Sequence, residues 1–316
     1  MHRMPERRYF DQISARTRFS AWPLEKLYRI ILILSEVNSS ELSEYLALRG
    51  GTAINLCYEQ LPRLSVDIDL VAVKDGDKAN MLKYRQIIRD RLSELLKGAG
   101  YELDTHFADY ALDRFELNYK NIFDSLDGLK VEINYVSARI PVYEPIVLKP
   151  LNPFEVDIEG VKTLSASEVY GSKIEALFKR GAARDLFDVY MLAKSAKRAF
   201  EFDELRKCAI LSCCIEIPWD FRASLTKNPA DAIEEDQVKQ DLRPYLMQGS
   251  HFNLSDAKEV VGSFCRDLFK LSHDEQEFLQ KFFEEKKYLP SLLFPSKDHL
   301  RNHPGIMWRL QQLGSV

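Results

Sequence analysis

Along the chain, apolar residues recur from Pro23 onward at Leu24, Leu27, Ile30, Ile31 and Leu34, the three-and-four spacing of one helix face. Ser39-Ser40 ahead of Glu41 has the form of a cap opening a second, short helix. Leu46-Ala47-Leu48 reads as a short strand aimed at Gly50-Gly51, and a further apolar run surrounds Asp67-Ile68-Asp69. After Val73 a polar loop, Lys74 to Asp77, precedes Met81, Leu82, Ile87, Ile88, Leu92, Leu95 and Leu96, which mark a long amphipathic helix closed by Gly98 and Gly100. Three strands are predicted next, Tyr101 to Phe107, Leu112 to Tyr119 and Leu129 to Val136. The last two alternate clearly across a turn-rich segment, Asp124 to Gly128.

The pattern then changes. Pro141, Pro145, Pro150 and Pro153 make an extended connection rather than the interior of an element. Beyond Thr163 the spacing is helical: Ser167 to Arg180, Arg184 to Ala196, Phe202 to Ile215, Ser255 to Leu271, Asp274 to Lys287, and a short helix near Met307. Lys227 to Tyr245 is polar and charged, and no structure is assigned to it. The expectation is an α/β (α+β) protein, with a mixed sheet flanked by helices in residues 1–155 and a mainly helical domain in residues 156–316.

With 316 residues, 46% of them hydrophobic, the chain can bury a sizeable core. The formal charge of -4, from 44 basic and 48 acidic side chains, means that any attraction to nucleic acid has to come from a local patch. Cys57, Cys208, Cys213, Cys214 and Cys265 form no C-x-x-C pair and the histidines are scattered, so reduced, mostly buried thiols are expected rather than a zinc site. Cys213-Cys214 falls in an apolar helical pattern, and Trp219 and Trp308 are expected to anchor packing. Met1 to Ser20 is Arg-rich without an apolar signal core, and Ile30 to Leu34 is too short to cross a bilayer. These features predict a cytoplasmic protein without membrane segments.

The chemistry concentrates between Arg49 and Val71. On a strand, alternate residues share a face, so Asp67 and Asp69 point together while Ile68 and Leu70 enter the core. Two carboxylates in one small volume suit Mg²⁺, which takes a few carboxylates together with substrate phosphate oxygens. A lone D-x-D can equally end a strand at the surface. Upstream, Gly50 and Gly51 allow close approach of the backbone to a phosphate, and Thr52 can cap the following helix or offer its hydroxyl.

A third carboxylate is expected at Glu132, which shares one face of its strand with Lys130 and Asn134 while Val131, Ile133 and Tyr135 face the core. If this strand neighbours that of Asp67, Glu132 completes a two-metal site or serves as a general base; otherwise it is a solvated residue. Residues 161–200 carry eight basic side chains (Lys162, Lys173, Lys179, Arg180, Arg184, Lys194, Lys197, Arg198) against Glu168, Glu175, Asp185 and Asp188, a local excess of +4. Such a patch suits a triphosphate or an RNA backbone, or is a salt-bridged helix face. In one unbroken helix Lys173, Arg180 and Arg184 would share a face; Gly181 as a helix end would destroy that register.

Taken in order, Leu48-Arg49-Gly50-Gly51-Thr52-Ala53-Ile54, the block Arg63 to Leu70, Leu129 to Glu132, Lys173 to Asp188 and the tail with His303-Pro304 and Trp308 resemble the AbiEii/AbiGii toxin family. The likeness covers most of the chain from about Leu24, and the block from the glycines to the aspartates is its most specific part. The resemblance implies a DNA polymerase β-like nucleotidyltransferase with Mg²⁺ or Mn²⁺ and an NTP. By it, Asp67 and Asp69 are metal ligands with Glu132 as the third acidic position, Gly51 and Thr52 contact the nucleotide phosphates and Lys173 holds the triphosphate; Gly50, Arg180 and Arg184 are expected at the nucleotide, and Glu132 at the metal, from the residues themselves. Asp185 is a further functional acid whose role no physical argument defines. It also implies a toxin of a type IV toxin–antitoxin or phage-exclusion system, monomeric, with a winged-helix antitoxin encoded nearby. The expected reaction is transfer of NMP to RNA, the tRNA 3′ end foremost. NMP transfer to a protein side chain, or non-catalytic sequestration of a nucleotide or partner, are the alternatives.

Overall fold

The computed structural model describes residues 4–59, 61–74, 78–109, 111–136, 140–154, 156–195 and 200–314, with the side chains of 78, 105 and 106 also set aside. Asp77, Lys197 and Arg198 lie outside the described residues. The chain divides into two compact units. The first comprises Met1–Ala138, Pro145–Leu164 and Pro244–Ser250; the second comprises Arg139–Glu144, Ser165–Arg243 and His251–Val316. The chain passes between the units more than once, and the last long stretch of the first unit ends at Leu164.

In the first unit, helices α1 (Arg7–Thr17) and α2 (Ala21–Ser39) meet through a cluster of rings from Tyr9, Phe10, Tyr28 and Phe154. The sequence pattern did not foretell α1, whose buried anchors are only Phe10 and Ile13. After α2, the Ser40 hydroxyl accepts from the Leu42 N–H and opens a single 3₁₀ turn, Glu41–Glu44. Strand β1 (Leu46–Arg49) runs into helix α3 (Gly50–Ala53), which continues as a π-helical turn, Ile54–Tyr58. Strand β2 (Asp67–Ala72), helix α4 (Lys78–Gly98), and strands β3 (Glu102–Ala108), β4 (Leu112–Lys120) and β5 (Leu126–Asn134) follow. Two short strands, β6 (Ile146–Leu148) and β7 (Val161–Thr163), complete a seven-stranded sheet of order β3-β4-β5-β2-β1-β7-β6. The pairs β2·β5 and β1·β7 are parallel and the rest antiparallel, so the sheet is mixed. At three residues each, β6 and β7 are too short for alternation to show among the prolines; the Thr163 hydroxyl donates to the Leu48 carbonyl and helps fix β7 on β1.

One face of this sheet is apolar: Ile68, Leu70, Phe115, Leu117, Val131 and Ile133 are all buried. Asp113 is the exception on that face. Its carboxylate accepts from Arg85 at 2.7 Å and Arg89 at 3.0 Å, both on α4, and from the Tyr135 hydroxyl at 3.0 Å. Burial alone would raise the Asp113 carboxyl, but the two guanidinium groups and the phenol reverse this and hold it below the ordinary range. The network ties α4 to the sheet, Arg85 also donating to the Leu112 carbonyl at 3.2 Å.

The second unit is helical: α5 (Ala166–Arg180), α6 (Ala183–Lys194), α7 (Phe202–Glu216), α8 (Glu235–Gln237), α9 (Leu254–Leu268), α10 (His273–Glu284) and α11 (Pro304–Gly314). The segment left without assignment carries α8, a π-helical turn Val238–Leu242 and a 3₁₀ turn Arg243–Tyr245. A capping box between Glu234 and Gln237 starts it, and Val238 and Leu242, one turn apart, are its only buried anchors in that turn. With Ala230 and Ile233 also buried upstream, four apolar anchors spread among so many charges leave little periodicity to read. Cys208, Cys213, Cys214 and Cys265 are buried, and burial pushes the Cys265 thiol up to about 12, which fits packing rather than reactivity. The expectation for the tryptophans fails: Trp219 and Trp308 are 45% and 38% exposed. Trp219 lies beyond the end of α7, and Trp308 faces away from the side of α11 that buries Gly305, Ile306 and Arg309.

Candidate active site

At the junction of β1 and α3 the backbone turns through Gly50, whose φ of +70 is a conformation that favours glycine. Space imposes the same choice, since a Cβ there would lie 2.4 Å from Oδ2 of Asp69. At Gly51 a Cβ would lie 2.7 Å from Nη2 of Arg63 and 3.2 Å from Oγ of Ser65. The glycine pair is therefore pressed onto the strand segment that carries the aspartates. Backbone geometry makes Arg49 the N-cap of α3, so Thr52 sits inside the helix rather than capping it. Its buried hydroxyl donates to the Asp67 carbonyl, and Asn55 Nδ2 donates to the Gly51 carbonyl at 2.6 Å. Thr52 thus fixes the helix to β2.

The strand register places the acids. Arg49 is opposite Asp69, Asp69 is beside Glu132 on parallel β5, and Glu132 is opposite Arg114 on β4. Cross-strand partners share a face, so these four side chains form one row across four strands. Asp67 stands in the next row, beside Lys130 and then Glu116. Asp67, Asp69 and Glu132 are all half-buried on the face opposite the apolar one. Glu132 stands beside Asp69, and its Oε1 accepts from Arg114 Nε at 2.6 Å and is 3.5 Å from Lys130 Nζ.

In the second unit Gly181, at φ +58, ends α5 by donating its N–H to the Leu177 carbonyl. The one-helix register of Lys173, Arg180 and Arg184 is therefore lost, and Arg184 begins a separate helix, α6. Lys173 is buried, with Nζ 2.8 Å from Asp185 Oδ1 and 3.2 Å from Asp188 Oδ2. Arg180 Nε donates to Asp185 Oδ2 at 2.7 Å. Burial would raise the Asp185 carboxyl, but the charges of Lys173 and Arg180 hold it well below the usual range. Among the described residues, Lys173, Lys179 and Arg180 of this basic segment are thus in ion pairs. Lys179 meets Glu216 at 2.9 Å, while Lys162 belongs to β7 of the first unit and donates to the Ser43 carbonyl.

Residues 32–261 match the model of the nucleotidyl transferase AbiEii toxin family of type IV toxin–antitoxin systems. The chain belongs to the AbiEii toxin family. Its fold is also similar to that of MenT4, a nucleotidyltransferase toxin from Mycobacterium tuberculosis H37Rv, at 15% identity and a TM-score of 0.66, covering 98% of this chain and 99% of that one. No curated protein matches the sequence. As an AbiEii member the chain is a nucleotidyltransferase of a toxin family, and membership implies a nucleotide substrate and an antitoxin partner. Among the described residues no helix is long and apolar enough to cross a membrane.

AbiEii nucleotidyltransferases use divalent metal, and the donor set of the first unit can be tested against one. Asp67 and Asp69 are hard oxygen donors on one strand face, with the side-chain-free Gly50 against Asp69; this fits a magnesium ion that draws its other ligands from phosphate and water. Among the described residues no three of His, Cys, Asp and Glu converge as a metal-binding group, consistent with Glu132 being drawn to Arg114. Sequence reasoning did not single out Arg63, Ser65 or Arg114 as site residues. Arg63 and Ser65 were legible in principle, since R-x-S-x-D-x-D has the period of a strand and continues the face of Asp67 and Asp69 upstream. Arg114 emerges only from the pairing of β4 with β5.

Proposed function

We propose that this AbiEii toxin transfers a nucleoside monophosphate from an NTP to a hydroxyl of an RNA acceptor, the tRNA 3′ end being the first candidate, in a Mg²⁺-dependent reaction that Mn²⁺ also supports. The observation that carries the proposal is the contact of Gly50 with Asp69 on the strand face shared by Asp67. A divalent ion held by Asp67 and Asp69 would supply charge neutralisation at the triphosphate. The glycine pair gives the phosphates access to the backbone, and buried Arg63 behind Gly51 fixes the position of that loop. The acceptor hydroxyl gives its proton to solvent as its oxygen bonds to the α-phosphorus, the bond from that phosphorus to the bridging oxygen breaks, and pyrophosphate leaves. Positioning and electrostatics provide most of the acceleration. Glu132 is the third acidic position, and the family likeness adds Lys173 as a phosphate ligand whose ammonium Asp185 and Asp188 hold. We assign the protein to the cytoplasm as a monomer, with a winged-helix antitoxin as the product of a neighbouring gene.

The test supplies each α-labelled NTP with total RNA and, separately, with a protein extract. Label is expected in RNA with wild type and lost with Asp67→Ala and Asp69→Ala, while their thermal unfolding stays close to wild type. Label in protein alone would replace the acceptor class, and undiminished transfer by both variants would overturn the mechanism.

A further inference from the structure

Asp69 and Glu132 are register partners on adjacent parallel strands, so their side chains leave the same face of the sheet. Yet no three-acid group forms among the described residues. Glu132 has cationic neighbours. Arg114, opposite Glu132 on β4, donates its Nε to Oε1 at 2.6 Å, and Lys130 two residues back on β5 approaches the same oxygen at 3.5 Å. The Arg114 side chain is 38% exposed, so it can leave this contact without disturbing the core, whereas Glu132 is held on a strand whose flanking Val131 and Ile133 are buried.

We propose that Arg114 is a positioning residue that competes with the divalent cation for Glu132. In the resting protein the guanidinium neutralises the third carboxylate and keeps it off the Asp67–Asp69 pair. The cation has to displace Arg114 to recruit Glu132, which weakens metal binding in the absence of substrate. A polyanionic triphosphate gives the displaced guanidinium a new partner, so nucleotide and metal bind with positive coupling. This inference rests on the reading of Asp67 and Asp69 as metal ligands, and its test separates the two.

The experiment measures Mn²⁺ binding to the purified full chain by calorimetry and by the loss of the free-ion electron paramagnetic resonance signal, without nucleotide and with a non-hydrolysable NTP analogue. Removing the competing charge in Arg114→Met should tighten Mn²⁺ binding without nucleotide about tenfold. Arg114→Lys, which keeps the charge, should stay near wild type. The gain should vanish in the double variant Arg114→Met/Glu132→Gln, and the enhancement of Mn²⁺ binding by the analogue should be smaller in Arg114→Met than in wild type. If Asp69→Ala abolishes Mn²⁺ binding but Arg114→Met binds no more tightly than wild type, the competition is overturned while the metal site stands. If Asp69→Ala binds Mn²⁺ as wild type does, the metal site itself is overturned.

Discussion

Substituting Gly50 by alanine tests whether the glycine turn and Asp69 act as one device. The added Cβ would sit 2.4 Å from Asp69 Oδ2, whereas ordinary contact requires about 3.5 Å, so the carboxylate has to move by roughly 1 Å. A misplacement of that size at a reacting centre costs about 100-fold in rate. The effect on stability is smaller. Alanine at a φ of +70 costs about 1–2 kcal/mol, offset by about 0.4–1 kcal/mol from the less flexible unfolded chain. The net loss of about 1 kcal/mol corresponds to a fall in Tm of about 2 °C. The assay pairs transfer from an α-labelled NTP with calorimetric unfolding of the same preparation. Transfer within threefold of wild type in a folded variant would refute the claim that this contact positions Asp69. A loss of transfer matched by a large loss of folded protein would refer the effect to the fold instead.

Two further predictions concern buried charge. Asp113→Ala leaves Arg85 and Arg89 facing a buried gap and should destabilise the first unit by about 3–5 kcal/mol in urea titration, whereas a change under 1 kcal/mol would show that the network is solvated. His303 is fully buried, and burial pushes its imidazole down to about 4 from an unfolded value near 6.5. Between these values the unfolded chain binds the extra proton, so the stability contributed by neutral His303 is complete above about 6.5 and is lost as pH falls toward 4. Wild type should therefore lose about 2 kcal/mol more than His303→Gln between pH 7 and pH 5, and parallel pH profiles for the two proteins would refute the assignment.

The legible parts of the chain were those in which one local pattern has one structural meaning. Alternation fixed the faces of β2, β4 and β5, so the common direction of Asp67 and Asp69 and the inward direction of Val131 and Ile133 follow from spacing alone. That β5 adjoins β2 in parallel does not, because nothing local distinguishes Glu132 beside Asp69 from Glu132 on a distant edge; the pairing is decided by the whole sheet. The same limit hid Arg114, whose role depends on a third strand. Charge was legible as a sum but not as partners. The excess around Lys173 was compatible with an anion site or a salt-bridged helix face, and the pairing of that lysine with Asp185 and Asp188 shows only once Gly181 ends the helix and α6 starts afresh. Thr52 misled for a similar reason, since a residue suited to capping was taken up by the Asp67 carbonyl.

The interleaving of the two units along the chain constrains how the protein is made. Residues Pro244–Ser250 belong to the first unit, where the Tyr245 carbonyl accepts from the Leu64 N–H and the Gln248 N–H donates to the Arg18 carbonyl. The seven-stranded sheet is fully synthesised by Thr163, yet on the ribosome its unit stays open until Ser250 has emerged, nearly ninety residues later. These late, long-range contacts slow folding relative to a contiguous domain. A polypeptide released after Thr163 but before Pro244 would carry Gly50, Gly51, Asp67 and Asp69 without the segment that closes the unit around Leu64, three residues from Asp67.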